Sequence, residues 1–377
     1  MALRVGLIGC GNISDIYLIN ARLFRDIAVT ACADLKAGAA KRQAARYNIA
    51  AQSVKNLLSS EDVDIVLNLT IPEAHAEVSQ SAIEAGKHVY TEKPLATTVA
   101  DGKRLMRAAS ARGLRVGAAP DTVLGAGVQE ARRIVDAGGI GKPLSGLAAV
   151  LSHGMEHWHP NPGFFFRSGG GPLFDMGPYY LSTLVTLLGP VDSVQAMGQI
   201  GFSERIVTTP ASPLLGQRIK VETLTNVQAL LEFKSGAQVT LLASWDVWRH
   251  GVPPIELHGQ TGSLRLADPN WFGGELQLAE GRGECTAIET GRRRFGVANW
   301  PKDKPQFANY RGIGLADLAR GVKDNRPHRA SCDLGLHVVA VMAGILEAAS
   351  KRRRVTIEET CERPAYLGEQ EAAGLLR

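Results

Sequence analysis

Apolar residues fall in short blocks through the first third of the chain, each closed by glycine or a polar residue. Leu3 to Ile8 reads as a strand and passes directly into Gly9-Cys10-Gly11-Asn12-Ile13-Ser14, after which Ile16, Leu18, Ile19 and Leu23 recur at helical spacing. Ile27 to Ala33 is a second strand ending at Asp34, and Val63 to Leu69 a third, ending at Thr70-Ile71-Pro72. Lys87 to Tyr90 is followed by Glu92-Lys93-Pro94, and Arg115 to Ala118 closes the series. The intervening helices, about Glu73 to Ala85 and on to about Ala111, stop at Gly86 and Gly113, where glycine takes the left-handed turn that ends a helix. Strand and helix in alternation predict a parallel sheet of βαβ units over residues 1–120.

Beyond Pro120 the alternation gives way to longer strand-like runs. Arg218 to Phe233 and Ala237 to Val247 are joined by Lys234-Ser235-Gly236, and Ile255–His258 and Ser263–Leu266 flank another turn. Helices are predicted near Val128–Ala137, Phe174–Leu188, Leu315–Val322 and Gly335–Ala349. Residues 121–377 therefore form a second, α+β domain. Val221 and Val227 alternate with Leu224 and Leu230, which puts apolar side chains on both faces of its sheet.

The glycine turn gives the first domain its chemistry. Gly9 permits a tight turn, Gly11 lets the backbone approach a pyrophosphate seated on the helix N-terminus, and small Ser14 preserves close helix–strand packing. Asp34, at the end of the second strand, is placed to accept hydrogen bonds from ribose hydroxyls. Its charge would repel a 2′-phosphate, so NAD is expected rather than NADP, with Lys36 the only nearby cation arguing otherwise.

Composition trims the alternatives. The 377 residues carry a net charge of +5, and the one dense basic run, Lys351 to Arg354, reads as the solvated C-terminus of a helix rather than a nucleic-acid surface. No pair among Cys10, Cys32, Cys285, Cys332 and Cys361 has metal or redox spacing. The first strand begins almost at Met1, leaving no room for a leader, and no apolar run is read as long enough to span a bilayer; a cytoplasmic protein away from membranes is expected. His153, His157 and His159 invite a zinc reading, but no cysteine accompanies them and Pro160 interrupts any helix, so no metal is expected.

Five stretches together resemble the Gfo/Idh/MocA oxidoreductases, a family named for glucose–fructose oxidoreductase, inositol dehydrogenase and a rhizopine-catabolism protein. They are Gly9 to Ser14, Thr70-Ile71-Pro72-Glu73-Ala74-His75, Ala85 to Pro94, Gly169 to Gly177, and Gly259-Gln260-Thr261-Gly262. The resemblance implies a Rossmann dinucleotide-binding domain followed by an α+β domain with a large, open, mostly antiparallel sheet, and homodimers or homotetramers built on it. It implies hydride transfer between a nicotinamide and the hydroxyl-bearing carbon of a carbohydrate or polyol. Two other activities are implied for relatives: an NAD-dependent glycoside hydrolase that oxidises its substrate transiently, and a non-catalytic regulator that senses the cofactor. By the same resemblance Lys93, Asp175 and Tyr179 are catalytic. Cys10, Asn12 and Ile13 join Gly9, Gly11 and Asp34 around the cofactor, with Thr70, Ile71, Pro72, His75, Glu92 and Lys93 at later strand ends. Asp121, His153, Trp158 and Arg167 are the further substrate contacts expected beside the catalytic three. Tyr179 stands where many relatives have histidine, and serves as acid–base if a nearby lysine cation favours its ionised form.

Overall fold

A computed structural model describes all 377 residues. Six strands form the first sheet: β1 (Leu3–Ile8), β2 (Ile27–Ala33), β3 (Ala50–Gln52), β4 (Ile65–Asn68), β5 (His88–Thr91) and β6 (Val116–Ala118). They run parallel in the order β3-β2-β1-β4-β5-β6. That order reverses between β1 and β4, and the crevice beyond their carboxyl ends is where doubly wound sheets bind ligands. Gly9 and Thr70 stand on either side of it. The helices of this part are α1 (Ser14–Ala21), α2 (Ala37–Tyr47), α3 (Val54–Ser59), α4 (His75–Glu84) and α5 (Val99–Ser110).

The second sheet has nine strands in the order β16-β15-β14-β13-β7-β12-β11-β8-β17. They are β7 (Pro143–Leu151), β8 (Val191–Gln199), β11 (Asn226–Phe233), β12 (Gln238–Ser244), β13 (Ile255–Gly259), β14 (Gly262–Leu266), β15 (Leu276–Glu280), β16 (Thr286–Ile288) and β17 (Val355–Thr356); β9 (Glu204–Ile206) and β10 (Arg218–Lys220) pair separately. Only the β7–β12 pair is parallel. The expected single strand from Arg218 to Phe233 is two. The chain leaves the ladder between Lys220 and Thr225, where the Glu222 N–H turns to Phe166 O; Thr225 already rejoins it, donating to Gln199 O of β8. Val227, Ala229, Leu231 and Phe233 face the core, while Leu230, paired with Gln195 and Thr240, is exposed on the other face. Val221 is buried outside this sheet, against Phe166 and Trp245.

The helices α6 (Ala126–Asp136), α7 (Gly171–Leu188) and α9 (Cys332–Lys351) cover the inner face of the large sheet. Against the expectation from the sequence, α9 is long and apolar enough to cross a bilayer. Here it is a core helix, mostly buried between α5, α7 and β8. One apolar cluster runs through it from Val89 and Leu105 to Leu184, Val339 and Leu241, so the two sheets share a continuous core.

The division at residue 120 separates the sheets but not the chain. The helix α8 (Ile313–Lys323) packs on the first sheet with Tyr17, Phe24, Ile65 and Leu67, and α10 (Glu369–Leu375) packs against α8. Leu376 forms a β-bridge with Phe24. Asp317, fully buried on α8, fixes this return: its carboxylate accepts from Arg326 (2.8 Å), Arg329 (2.7 Å) and the Arg329 N–H (2.7 Å). Arg329 continues to Glu371 at 2.6 Å. Replacing Asp317 with alanine strands buried guanidinium charge, and is expected to cost about 3–5 kcal/mol, read as a lower midpoint in urea unfolding followed by circular dichroism.

Candidate active site

At the first glycine turn, Gly9 has φ +102°, and a side chain there would meet Leu69 O and Thr70 N at 2.5–2.8 Å. Only glycine satisfies both demands. Gly11, by contrast, faces open space. Ile13 precedes α1 without any side-chain cap; the Ser14 N–H closes on Gly11 O (3.0 Å), and the N–H groups after it in the first turn are left to a ligand. Asp15, in that first turn, is drawn away by Arg46 (2.6 Å) and Tyr47 (2.9 Å). Asp34 accepts the Cys10 N–H (2.8 Å) and the Lys36 N–H (2.7 Å), which fixes its carboxylate over the turn; its remaining lone pairs suit two ribose hydroxyls. An open turn, uncapped donors and a fixed carboxylate fit a dinucleotide.

Past β4 and β5 the strand ends are knitted together. Thr70 bonds Asn68 through its N–H and its hydroxyl, and Ile71 is exposed beside it. Glu92 is buried, and its two oxygens accept from Tyr17 Oη (2.8 Å) and the Lys93 N–H (2.9 Å). His75 was expected to touch the cofactor. It is instead 1% exposed, between Pro94 O (2.7 Å) and Thr70 O (3.1 Å). Burial pushes its imidazole below the usual range, so the ring is neutral and donates to one carbonyl. Both residues hold the loop that carries Lys93 rather than line the crevice.

Lys93 and α7 close the site. The Lys93 ammonium donates to Asp175 Oδ1 (2.7 Å) and to Asp175 O (2.6 Å). That carbonyl lies in the first turns of α7, loosened by Pro178, which supplies no N–H to Phe174 O. Gly171, at φ +81°, lets this end of α7 lie against Thr223 and Leu224. Burial pushes the ammonium down, but Asp175, Tyr179 and Glu92 more than offset it, and the net shift is upward. Lys93 is therefore a permanent cation with two N–H groups committed and one free. Tyr179, one turn after Asp175, has its ring centroid 5.3 Å from Lys93 Nζ and its hydroxyl 3.2 Å from Arg311. Pro72, Phe164, Phe165 and Gly170 line the pocket in front of Lys93 and Asp175.

The substrate contacts expected around this core are dispersed. Asp121 is buried and accepts the Gly312 (2.8 Å) and Gly314 (3.0 Å) N–H groups at the start of α8, so it is a helix-start carboxylate and not a pocket wall. His153 stacks on exposed Trp248 with centroids 3.3 Å apart, next to the buried Arg205–Glu156 pair. Trp158 is 54% exposed and lies T-shaped to His159, whose ring in turn meets Phe164 and Phe165. Arg167 is exposed at the end of a short 3-10 turn. The sequence reading missed Arg311, which sits among Asn309, Tyr310 and Gly312 in a segment with no periodic signal. It missed Asn270 and Asn309 for the same reason.

A dinucleotide turn opposite a lysine–carboxylate–tyrosine group across one crevice defines a two-domain pyridine-nucleotide oxidoreductase. Comparison with known proteins agrees. Residues 3–119 match the model of an oxidoreductase family with an NAD-binding Rossmann fold, and residues 128–265 match the GFO/IDH/MocA C-terminal domain. The chain is 32% identical over 279 residues to inositol 2-dehydrogenase 3 of Saccharopolyspora erythraea, spanning 71% of this chain and 74% of that one. It is 29% identical over 363 residues to 1,5-anhydro-D-fructose reductase of Ensifer adhaerens, 94% and 98% of the two chains. The crystal structure of an NAD binding oxidoreductase from Klebsiella pneumoniae superposes with a TM-score of 0.80 at 25% identity, covering 95% and 99%. The chain belongs to the Gfo/Idh/MocA oxidoreductase family, and its first domain binds NAD.

Two measurements follow. NADH is expected to bind more tightly than NADPH, and Asp34→Ala to narrow that difference, since one carboxylate both holds the ribose and repels a phosphate; equal affinities in the wild type would count against the assignment. Asp121 gives a pH effect. Burial pushes it from 3.8 to about 6 despite its two N–H donors. A raised folded value means its contribution is full below about pH 4 and is lost as pH rises through about 6. The stability of the wild type relative to Asp121→Asn should thus fall by about 3 kcal/mol between pH 4 and 7 in urea titrations.

Proposed function

We propose that this oxidoreductase moves a hydride between NAD and the hydroxyl-bearing carbon of a cyclic polyol or sugar. The observation that carries the reading is the spare N–H of Lys93, a permanent cation beside Tyr179 at the mouth of the dinucleotide crevice. The relatives' names, an inositol dehydrogenase and an anhydrofructose reductase, support this substrate class.

Bound NAD supplies the two-electron acceptor. Lys93 donates its free N–H to the reacting oxygen and stabilises negative charge there. Asp175 holds the ammonium by two contacts, so the donor is already aimed when substrate arrives. Tyr179 takes the hydroxyl proton during oxidation and returns it during reduction; Lys93, held as a cation, is unsuited to that task. Phe164 and Phe165 shield this face of the pocket from water.

Lys93→Ala and Tyr179→Phe should each lower turnover about a hundredfold to ten-thousandfold while NADH binding changes little. The assay supplies NAD with free sugars, cyclitols and glycosides. Net NADH formation supports the dehydrogenase, whereas release of an aglycone without net NADH would replace it with an NAD-recycling glycoside hydrolase. No response to any substrate would leave a cofactor-binding regulator.

The outer face of the large sheet supports self-association. Met197, 73% exposed, and Leu230, 58% exposed, lie on adjacent strands with Gln195 and Gln228. A dimer or larger assembly is expected by light scattering at micromolar concentration, and Leu230→Lys should weaken it.

A further inference from the structure

Arg311 is buried close to the catalytic group, and no carboxylate is in salt-bridge contact with it. Its guanidinium donates to Asn309 Oδ1 (3.0 Å), to Asn270 Oδ1 (2.7 Å) and O (3.3 Å), and to Tyr179 Oη (3.2 Å). While Tyr179 keeps its proton, all of these acceptors are neutral. Glu92, Asp121 and Asp268 reach this buried cation only through space, so an anion formed in direct contact with it is favoured. The direction of the hydrogen bond adds a second point. Arg311 can only donate, so Tyr179 Oη accepts, and no protein group takes the tyrosine's own proton. Asn270 and Asn309 hold the guanidinium from two sides, so the fork is rigid.

We propose that Arg311 is the positioning residue for proton transfer: it fixes Tyr179 Oη and stabilises the negative charge left there when the proton moves. The inference rests on the hydride-transfer reading of the site. In oxidation the substrate O–H bond breaks and its proton passes to the Tyr179 phenolate, while the adjacent carbon releases a hydride, with both electrons of its C–H bond, to NAD. In reduction the phenol returns the proton to the alkoxide oxygen as the hydride comes back. The other ionisable groups around the pair are Lys93 beside the tyrosine ring, Asp175 one turn earlier on α7, Glu92 after β5, Tyr17 on α1, and the carboxyls of Asp121 and Asp268, which feel the Arg311 charge without touching it. Asp175 is engaged by Lys93, Glu92 by Tyr17, Asp121 by the Gly312 and Gly314 N–H groups and Asp268 by the Asn270 N–H, which leaves Tyr179 as the ionisable group in direct contact with Arg311.

The test uses the full chain with NAD bound. Ultraviolet difference titration of tyrosinate, wild type minus Tyr179→Phe, isolates the one phenol. Repeated in Arg311→Met and in Arg311→Gln, the curve is expected to move about 1–3 pH units upward, and Arg311→Lys to restore part of the shift. The acidic limb of kcat/KM for oxidation should move with it, with kcat reduced more than KM is raised. Two neutral variants guard against one failing to fold, as judged by circular dichroism. A folded neutral variant whose tyrosinate curve and kcat/KM limb both coincide with wild type overturns the proposal. If no polyol supports NADH formation but the curve moves, the hydride reading fails while the Arg311–Tyr179 coupling stands.

Discussion

The contact between Lys93 and Asp175 joins the two sheets at the point where chemistry is placed. One partner ends a strand of the parallel sheet and the other opens a helix lying on the antiparallel one. Each is less than one-fifth exposed, so the pair is screened little by solvent and its geometry matters more than that of a surface ion pair. Much of the neighbourhood serves that geometry. Glu92 ties the strand end to Tyr17, His75 ties the Pro94 carbonyl to the turn after β4, and Gly171 lets the start of α7 lie against Thr223 and Leu224. The second contact, to the Asp175 carbonyl, binds Lys93 to the helix backbone as well as to a side chain that can rotate.

Burial divides the charges of this region into two kinds. Lys93 is compensated by a carboxylate and can be spared to a substrate oxygen without upsetting the site. Arg311 hydrogen-bonds only amide, carbonyl and phenol oxygens, with carboxylates no nearer than through space, an arrangement that favours an anion formed in direct contact with it. Asp121 sits at the other extreme, with two backbone donors that do not fully offset its burial. The site thus holds a carboxyl and a guanidinium that act on each other through space without touching, linked by the backbone from Arg311 to Gly314.

Local chemistry made part of this legible in the sequence. The strand–glycine–helix turn, Asp34 at a strand end and the four-residue spacing of Asp175 and Tyr179 each depend on residues close together in the chain, and each appears where the pattern placed it. Long-range features did not announce themselves. The break between Lys220 and Asn226 depends on Phe166, whose carbonyl takes the Glu222 N–H that a continuous strand would have used. Asp121 looks like a strand-end ligand until α8, almost two hundred residues later, sets two N–H groups against it. Arg311 carries no periodic or motif signal, because its meaning lies wholly in partners brought from Asn270 and Tyr179.

The return of α8 and α10 to the first sheet bears on how the polypeptide acquires its shape. Residues 1–120 contain every strand of the parallel sheet, yet the face bearing Tyr17, Ile65 and Leu67 is completed only by Ile313, Leu315 and Leu318, and later by Leu375. On the ribosome, the sheet waits for a segment translated much later, with an apolar flank bare in the interval. Its closure is a contact of very high sequence separation, the kind whose loop-closure entropy slows folding. A nascent chain of this protein therefore has reason to meet a chaperone before it meets its coenzyme.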